Sequence, residues 1–369
     1  MTRLLTPGEV APWFHAAALD SNPNYAFNSV GGRWIVLLML GSGTTAGGQD
    51  ALDLLARHRD MFDDNHACFF GVTTDPQDAA HGRIAQRLPG MRWFLDYDGA
   101  VSRQYGALRR QAGQDRYHPH WLLIDPMMRV RRVAPLAEGE ALFAMLRTQP
   151  PPLPDIDAPV LIVPDIFPPA MCRHLITLHT QSGGEDSGFM REENGITVLK
   201  LDHSHKKRQD HVIQDRPLID QLKARMAQTL RPMIQRAFQF DVTRVERFLI
   251  ACYDADQGGY FRPHRDNTTK GTAHRRFACT INLNAEDFEG GELRFPEFGA
   301  RSYRPPTGGA LIFSCSLLHE ALPVTSGRRY AFLPFFYDDA AARIREQNVG
   351  YLAPDIGGYM SGLQEEAAE

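Results

Sequence analysis

The chain reads as two domains: an α/β layer with a partly parallel sheet, then a β-rich sandwich, jelly roll or barrel with helices outside it. Three observations predict this. The 369 residues exceed what a single core usually serves. The stretch TQPPPLPDIDAP (148–159) places five prolines in twelve residues, which forbids regular helix and favours extended chain. The text also changes character across that stretch, from strands alternating with helices to many short strands set off by Gly and Pro. The expected organisation is a first domain at 1–149, a proline-rich linker at 150–159, a second domain at 160–340 and a tail at 341–369.

In the first domain WIVLLML (34–40) is short, continuously apolar and bounded by Gly, the pattern of a buried strand. GGQDALDLLARHRDMF follows with apolar residues at helical spacing. ACFFGVTT reads as a second strand, DAAHGRIAQRL as a helix, WLLIDP as a third strand and MMRVRRV as its hairpin partner. Alternation of this kind implies an α/β layer. The second domain opens with two helical patterns, PPAMCRHLITLHTQ and PLIDQLKARMAQTLRPMIQRAF. From residue 244 the strands are RVERFLIACY, RFACTINLN, GELRFP, ARSYRP, GALIFS, EALPVT and RYAFLPFFY, with turns at close intervals. No internal repeat is present.

Hydrophobic content of 43% and charged content of 23% are ordinary for a globular chain. A net charge of −4 gives no electrostatic reason to expect nucleic acid or an anionic membrane as a partner. The five cysteines are scattered and form no CxxC, which suits buried thiols in a reducing compartment. The N-terminal residues carry no signal-peptide pattern, and WIVLLML is too short to span a bilayer. The expectation is a cytoplasmic protein with no membrane and no nucleic-acid partner.

The chemistry concentrates in YFRPHRDN (260–267). On a strand, residues i and i+2 face one side, so His264 and Asp266 would share a cavity. Such pairs are cheap, as HSH (203–205) and HPH (118–120) show, and those two are read as structural or surface histidines. The text downstream changes the reading. GGALIFSCSLLHEALPVTSGRRYAFLPFFY puts His319 at the end of an apolar strand and Arg329 ten residues later. Two imidazoles and a carboxylate on one face make the facial triad that leaves adjacent positions open on Fe(II). A fixed guanidinium nearby suits a dicarboxylate co-substrate.

In YDADQGGYFRPHRDN, RRFACTINLN, EGGELRFPEFG, GGALIFSCSLLHE and PVTSGRRYAF, in that order, the chain resembles the Fe(II)- and 2-oxoglutarate-dependent dioxygenases of the prolyl 4-hydroxylase type over roughly residues 156–338. The resemblance implies a double-stranded β-helix (jelly roll) with flanking helices. It implies that His264, Asp266 and His319 act as catalytic iron ligands and that Arg329 holds the distal carboxylate of 2-oxoglutarate. Arg328 is the alternative; strand alternation admits only one of the pair, and family spacing favours Arg329. Tyr253 matches a cavity tyrosine or is an ordinary core aromatic. Thr325 is a further candidate for the same carboxylate. Asn282 stands where many relatives carry tyrosine, and an amide there retains a donor.

The reaction so implied is hydroxylation of a C–H bond with 2-oxoglutarate and O2 converted to succinate and CO2, and with ascorbate as candidate reductant. Asp266 argues against the related halogenases, which replace the carboxylate. AlkB-like demethylases carry a second Arg where this chain has Phe335. The substrate is either a prolyl or other residue in a protein, or a free amino acid or small metabolite. A non-enzymatic module that senses O2, iron or 2-oxoglutarate is the competing class. KLDHSHKKRQDH (200–211) reads as a solvated loop or a lid.

The first domain, through GRWIVLLMLGSGTTAGGQDAL, FFGVTTDPQDAAHGRIAQRL, MRWFLDYDGAVSRQYGAL and HWLLIDPMMRVRR, resembles the peroxiredoxin branch of the thioredoxin fold over roughly residues 4–147. That family carries Thr-x-x-Cys after the first core strand, with its thiolate at a helix start. Here Thr45 keeps the threonine place and Gly48 stands in place of the cysteine, while Pro119 falls where the activating arginine is expected. Cys68 lies inside an apolar strand and reads as a small buried hydrophobe. A domain without that cysteine is left with binding, docking of a protein partner or dimerisation.

Overall fold

The computed structural model describes residues 3–150, 156–354 and 356. Residues 151–155 of the proline-rich linker, and the part of the tail beyond 356, lie outside the described residues. The chain forms two compact units, Met1–Ile156 with Pro296–Ala300, and Asp157–Phe295 with Arg301–Glu369.

The first unit is built on a seven-stranded sheet. Trp34–Gly41, Ala67–Thr73 and Met91–Leu95 run parallel, and His120–Ile124 and Val130–Pro135 continue the sheet antiparallel. Parallel neighbours need a crossover, which the helix Ala46–Arg57 supplies between the first two. Trp34–Gly41 is buried along its whole length, because both faces of the sheet are covered. Ile35, Leu37 and Met39 enter one core, and Val36, Leu38 and Leu40 the other. The helix expected over DAAHGRIAQRL is only Pro76–Ala80. Gly82, at φ +65°, takes a left-handed turn that a helix cannot continue through.

The second unit is a double-stranded β-helix. Its larger sheet contains Ala310–Ser314, Phe277–Asn282, Val324–Phe332, Leu249–Asp254 and Gln209–Val212 as successive neighbours. The smaller runs Lys206–Lys207, Tyr260–His264, His319–Ala321, Leu293–Arg294, Ser302–Tyr303. Strand alternation gives the larger sheet two distinct faces. Ile250, Cys252, Cys279, Ile281, Tyr330 and Phe332 pack in one core with Leu175, Leu222, Met226 and Ile234 of the helices. Each fully buried side chain of this kind contributes about 1.5–3 kcal/mol. The alternate residues, among them Tyr253, Thr280 and Arg329, face the cavity enclosed with the smaller sheet.

Three sequence expectations change here. The long pattern PLIDQLKARMAQTLRPMIQRAF is two helices, Arg216–Thr229 and Arg231–Phe238, because Pro232 belongs in a first turn and not in a helix interior. The strand RVERFLIACY breaks into Arg244–Glu246 and Leu249–Asp254, with Arg247 between them at φ +68°. The segment 200–211 is neither a lid nor a solvated loop in its second half. Lys206–Lys207 pairs with Tyr260–His264, and Gln209–Val212 with Leu249–Asp254, so it adds a strand to each sheet. The region after residue 340 continues a helix, Asp339–Gln347, whose N-cap Asp338 accepts from the Ala341 amide.

Candidate active site

The smaller sheet pairs Tyr260–His264 with His319–Ala321 in a register that sets His264 opposite His319. Cross-strand partners are direct neighbours, and the two rings lie 4.3 Å apart between centroids. Asp266 is not on the strand with His264, as the i, i+2 argument supposes; the strand ends at His264 and Asp266 occupies the turn beyond it. That turn is tied down. The Asp266 amide donates to the Cys315 carbonyl at 3.0 Å, and Asn267 Nδ2 donates to Ser316 Oγ at 2.8 Å. Arg275 Nη1 donates to the Asp266 carbonyl at 3.3 Å and is itself held by the buried Glu246.

The ligand-type atoms of His264, Asp266 and His319 all lie within 4.8 Å of one another. His264 Nε2 is 3.7 Å from Asp266 Oδ1, and His319 Nε2 is 3.3 Å from Oδ2. Each imidazole is oriented from behind: Nδ1 of His264 lies 2.8 Å from the Arg262 carbonyl and Nδ1 of His319 3.1 Å from the Leu317 carbonyl. A carbonyl only accepts, so each Nδ1 carries the proton and each Nε2 presents a lone pair. Burial, and then the neighbouring His319, hold the His264 imidazole well below the usual histidine range. His264 also stacks on Phe261 at 3.5 Å, and His319 meets Phe313 edge-on at 4.5 Å. Two neutral imidazoles and one carboxylate, preset in this way, fit a non-haem Fe(II).

Arg329 lies in the same cavity, whose volume is about 60 Å³. Arg329 is 3% exposed. Its Nε donates to Asn282 Oδ1 at 3.3 Å and its Nη2 to Thr280 Oγ1 at 3.0 Å. Its Nη1 is buried with no hydrogen-bond partner, and burial lowers its guanidinium from the ordinary value. A buried donor left unmet is costly. The cavity therefore fits a carboxylate that the protein does not itself supply. Arg328 points the other way, more than half exposed and paired with Asp254 at 2.8 Å.

The remaining expected residues fall out differently. Tyr253 is the cross-strand partner of Arg329, and its ring lies 5.1 Å from that guanidinium while its hydroxyl accepts from Arg208 at 3.4 Å. Asn282 does not face the cavity as a donor. Its Nδ2 donates to the Pro305 carbonyl at 2.8 Å and its Oδ1 accepts from Arg329, so it orients the arginine. Thr325 is exposed and outside the cavity lining; at about 3.3 Å of rise per residue, four residues along one strand carry it too far from Arg329. Thr280 escapes the sequence reading, although a lone hydroxyl on the Asn282 face of FACTIN was its signal. Lys206, Arg208 and Asp210 also escape it. They alternate at period two inside a charged run, and all three turn inward. Arg208 and Asp210 form a close double pair, and Lys206 Nζ donates to Ser187 Oγ at 2.6 Å.

The first unit presents a contrasting helix start. Thr45 Oγ1 accepts from the Gly48 amide at 3.0 Å and caps the helix Ala46–Arg57. A side chain at Gly48 would strike the Ser42 carbonyl and come within 2.8 Å of Thr45 Oγ1. All five cysteines are free and buried. Burial pushes the Cys68 thiol up to about 12, so it presents no thiolate at neutral pH. Among the described residues no helix is long and apolar enough to cross a membrane.

Comparison with known proteins agrees with this division. Residues 248–337 match the model of the 2OG-Fe(II) oxygenase superfamily, and residues 7–133 that of the AhpC/TSA family. A PKHD-type hydroxylase of Pseudomonas fluorescens is 38% identical over 103 residues, covering 26% of this chain and 44% of the relative. The PKHD-type hydroxylase PiuC of Pseudomonas aeruginosa is 30% identical over 159 residues, covering 40% and 66%. Two further PKHD-type hydroxylases, from Synechococcus strains, are matched over 41% of their length. A solved prolyl-4-hydroxylase of Pseudomonas putida aligns at 21% identity over 48% of this chain and 91% of that one, with a TM-score of 0.37. The AhpC/TSA match falls within the first unit and the oxygenase match, Pro296–Ala300 apart, within the second, so the chain carries a 2OG-Fe(II) oxygenase domain together with an AhpC/TSA domain of thioredoxin-like fold.

Proposed function

We propose that this chain is an Fe(II)- and 2-oxoglutarate-dependent hydroxylase. The observation that carries the reading is one cavity holding both a convergent His264–Asp266–His319 triad and the unmet Nη1 of Arg329. His264 Nε2, Asp266 and His319 Nε2 would hold the metal, and Arg329 with the Thr280 hydroxyl beside it would receive the distal carboxylate of 2-oxoglutarate. When bound, the iron supplies the oxidative chemistry by which 2-oxoglutarate and O2 become succinate and CO2 and one oxygen atom enters a substrate C–H bond.

The protein's own part is positioning. The carbonyls of Arg262 and Leu317 fix both imidazoles in one tautomer, and the Asp266–Cys315 hydrogen bond fixes the carboxylate's turn. Burial of Arg329 strengthens its attraction for a carboxylate by excluding water. The related PKHD-type hydroxylases support a hydroxylation outcome, and Asp266 keeps the carboxylate that such an outcome needs. The AhpC/TSA domain then contributes docking or assembly without thiol chemistry, since Gly48 offers no nucleophile.

The test is succinate formation by the purified chain with Fe(II), ascorbate and 2-oxoglutarate under air. Activity that disappears in Asp266→Ala supports the hydroxylase reading. Absence of succinate from the wild type, even with host extract added as a source of substrate, sinks it in favour of a sensing module.

A further inference from the structure

Beside the small cavity lies a larger one of about 1310 Å³. Five residues line both: Arg208, Arg247, Phe261, His264 and Asp266. They form the wall shared by the compartment that holds Arg329 and the larger cavity. Two of the five are arginines, and they differ in one respect. Arg208 is neutralised by Asp210, which accepts from its Nε at 2.7 Å and from its Nη2 at 2.5 Å.

Arg247 has no carboxylate partner. Its Nε donates to the Leu333 carbonyl at 3.0 Å, and its guanidinium lies 4.2 Å from the centre of the Phe335 ring. Neither terminal nitrogen has an acceptor among the described residues. Of the charges acting most strongly on it, Arg208 and Arg275 repel its own and Asp210 and Asp266 attract it. Asp210 is held by Arg208, and Asp266 faces the two imidazoles. Phe335 is shared with Arg275, which lies 3.9 Å from the same ring centre and is paired to Glu246. The backbone is also committed to this placement. Arg247 holds φ +68° between two strands, a conformation that costs a long L side chain of order 1 kcal/mol and persists when surroundings impose it.

A half-buried guanidinium with free terminal donors, beside a metal triad and open to the outer cavity, is arranged to receive an anion in planar, two-pronged fashion. The co-substrate carboxylate already has Arg329 with its own unmet nitrogen. We propose that Arg247 binds a carboxylate of the substrate itself, so that the molecule hydroxylated carries a carboxylate close to the reacting carbon. This rests on the hydroxylase reading above and names its substrate class. The shared chemistry, one carboxylate, has two sources: the main-chain carboxylate of a free amino acid and the acidic side chain of a protein segment.

The test measures equilibrium binding by calorimetry to the whole chain loaded with Mn(II) and 2-oxoglutarate, which gives no turnover. One arm uses the free L-amino acids against their amides; the other uses N-acetyl amides of Asp and Glu against those of Asn and Gln. The expected result is a carboxylate form in one arm binding about tenfold or more tightly than its amide, as a charge-assisted pair implies. Arg247→Gln should erase that ratio, and Arg247→Lys should keep part of it. The arm that shows the ratio identifies the source. Equal binding of carboxylate and amide to the wild type overturns the proposal, as does a ratio that survives Arg247→Gln. So does an Arg247→Gln variant that loses 2-oxoglutarate as fully as Arg329→Gln, because Arg247 would then serve the co-substrate. If Mn(II) and 2-oxoglutarate fail to bind at all, the hydroxylase reading fails separately. The same panel on the metal-free chain still reads the carboxylate preference of Arg247.

Discussion

The helix start at Thr45–Gly48 and the cavity around Arg329 are the candidate site of the first unit and that of the second, and their polar groups are arranged in opposite ways. At the helix start the capping groups satisfy one another, although Arg83 Nη2 beside them is buried without a hydrogen-bond partner. Thr45 caps Gly48, and Asp78 accepts from the Gly43 amide, the Thr73 hydroxyl and Arg83 Nε. The room a side chain at 48 would need is taken by the Ser42 carbonyl. Around Arg329 the protein leaves a buried nitrogen unmet and turns two imidazole lone pairs and a carboxylate toward one point. A site built for a ligand keeps polar groups that are costly until the ligand arrives, while a capped helix start needs none.

This contrast can be broken in four ways, taken from the largest expected effect down. Asp266→Ala should reduce succinate formation by about a thousandfold or more, because two imidazoles alone hold Fe(II) poorly; rates near wild type would mean that the triad is as idle as Gly48. Asp210→Asn should destabilise the chain by about 3 kcal/mol, since it leaves the buried Arg208 charge uncompensated. The same variant tests a pH limb. Burial opposes ionisation of Asp210, but Arg208 and Lys206 outweigh it and hold the carboxyl at about 2, below its ordinary 3.8. Its stabilising contribution is therefore complete above about pH 4 and lost as pH falls through about 2. Urea unfolding across that window should show a shallower acid limb in Asp210→Asn than in the wild type.

Arg329→Gln should weaken 2-oxoglutarate binding by about a hundredfold, and Thr280→Val by a few-fold, since only the first removes the charge. Comparable losses in the two variants would place the hydroxyl, not the guanidinium, at the centre of co-substrate binding. The smallest effect is expected in the first unit. Gly48→Ala should destabilise by about 1–2 kcal/mol, the clash with Ser42 exceeding the roughly 1 kcal/mol that alanine gains over glycine in a helix. Gly48→Cys should consume no peroxide. Peroxide turnover in that variant would show that the site is poised for chemistry and lacks only its nucleophile.

Much of this was legible in the chain because it depends on local pattern. The continuous apolar run at 34–40, short and bounded by Gly, reads as a buried strand, and the alternation in RRYAFLPFF puts one of two adjacent arginines inside. Patterns with a concealed break misled. Pro232 splits a helix whose apolar spacing runs on unbroken, and Arg247 splits a strand by adopting a left-handed conformation that no residue preference announces. The run KLDHSHKKRQDH reads as solvated because its composition is charged; its pairing partners, Tyr260–Phe261 and Leu249–Cys252, are far along the chain and make it part of both sheets.

By itself the sequence determined the residue types of the triad, the presence of one inward arginine ten residues after His319, and the absence of a thiol at position 48. Each is a matter of chemical identity or strand period, which a linear chain carries in full. Only the tertiary structure decided that Asn282 orients Arg329 from outside the cavity lining, that Thr280 lines the cavity beside that arginine, and that Arg208 is neutralised while Arg247 is not. Whether a charge is paired depends on which strands the fold brings together, and the spacing of residues along one strand does not contain that information.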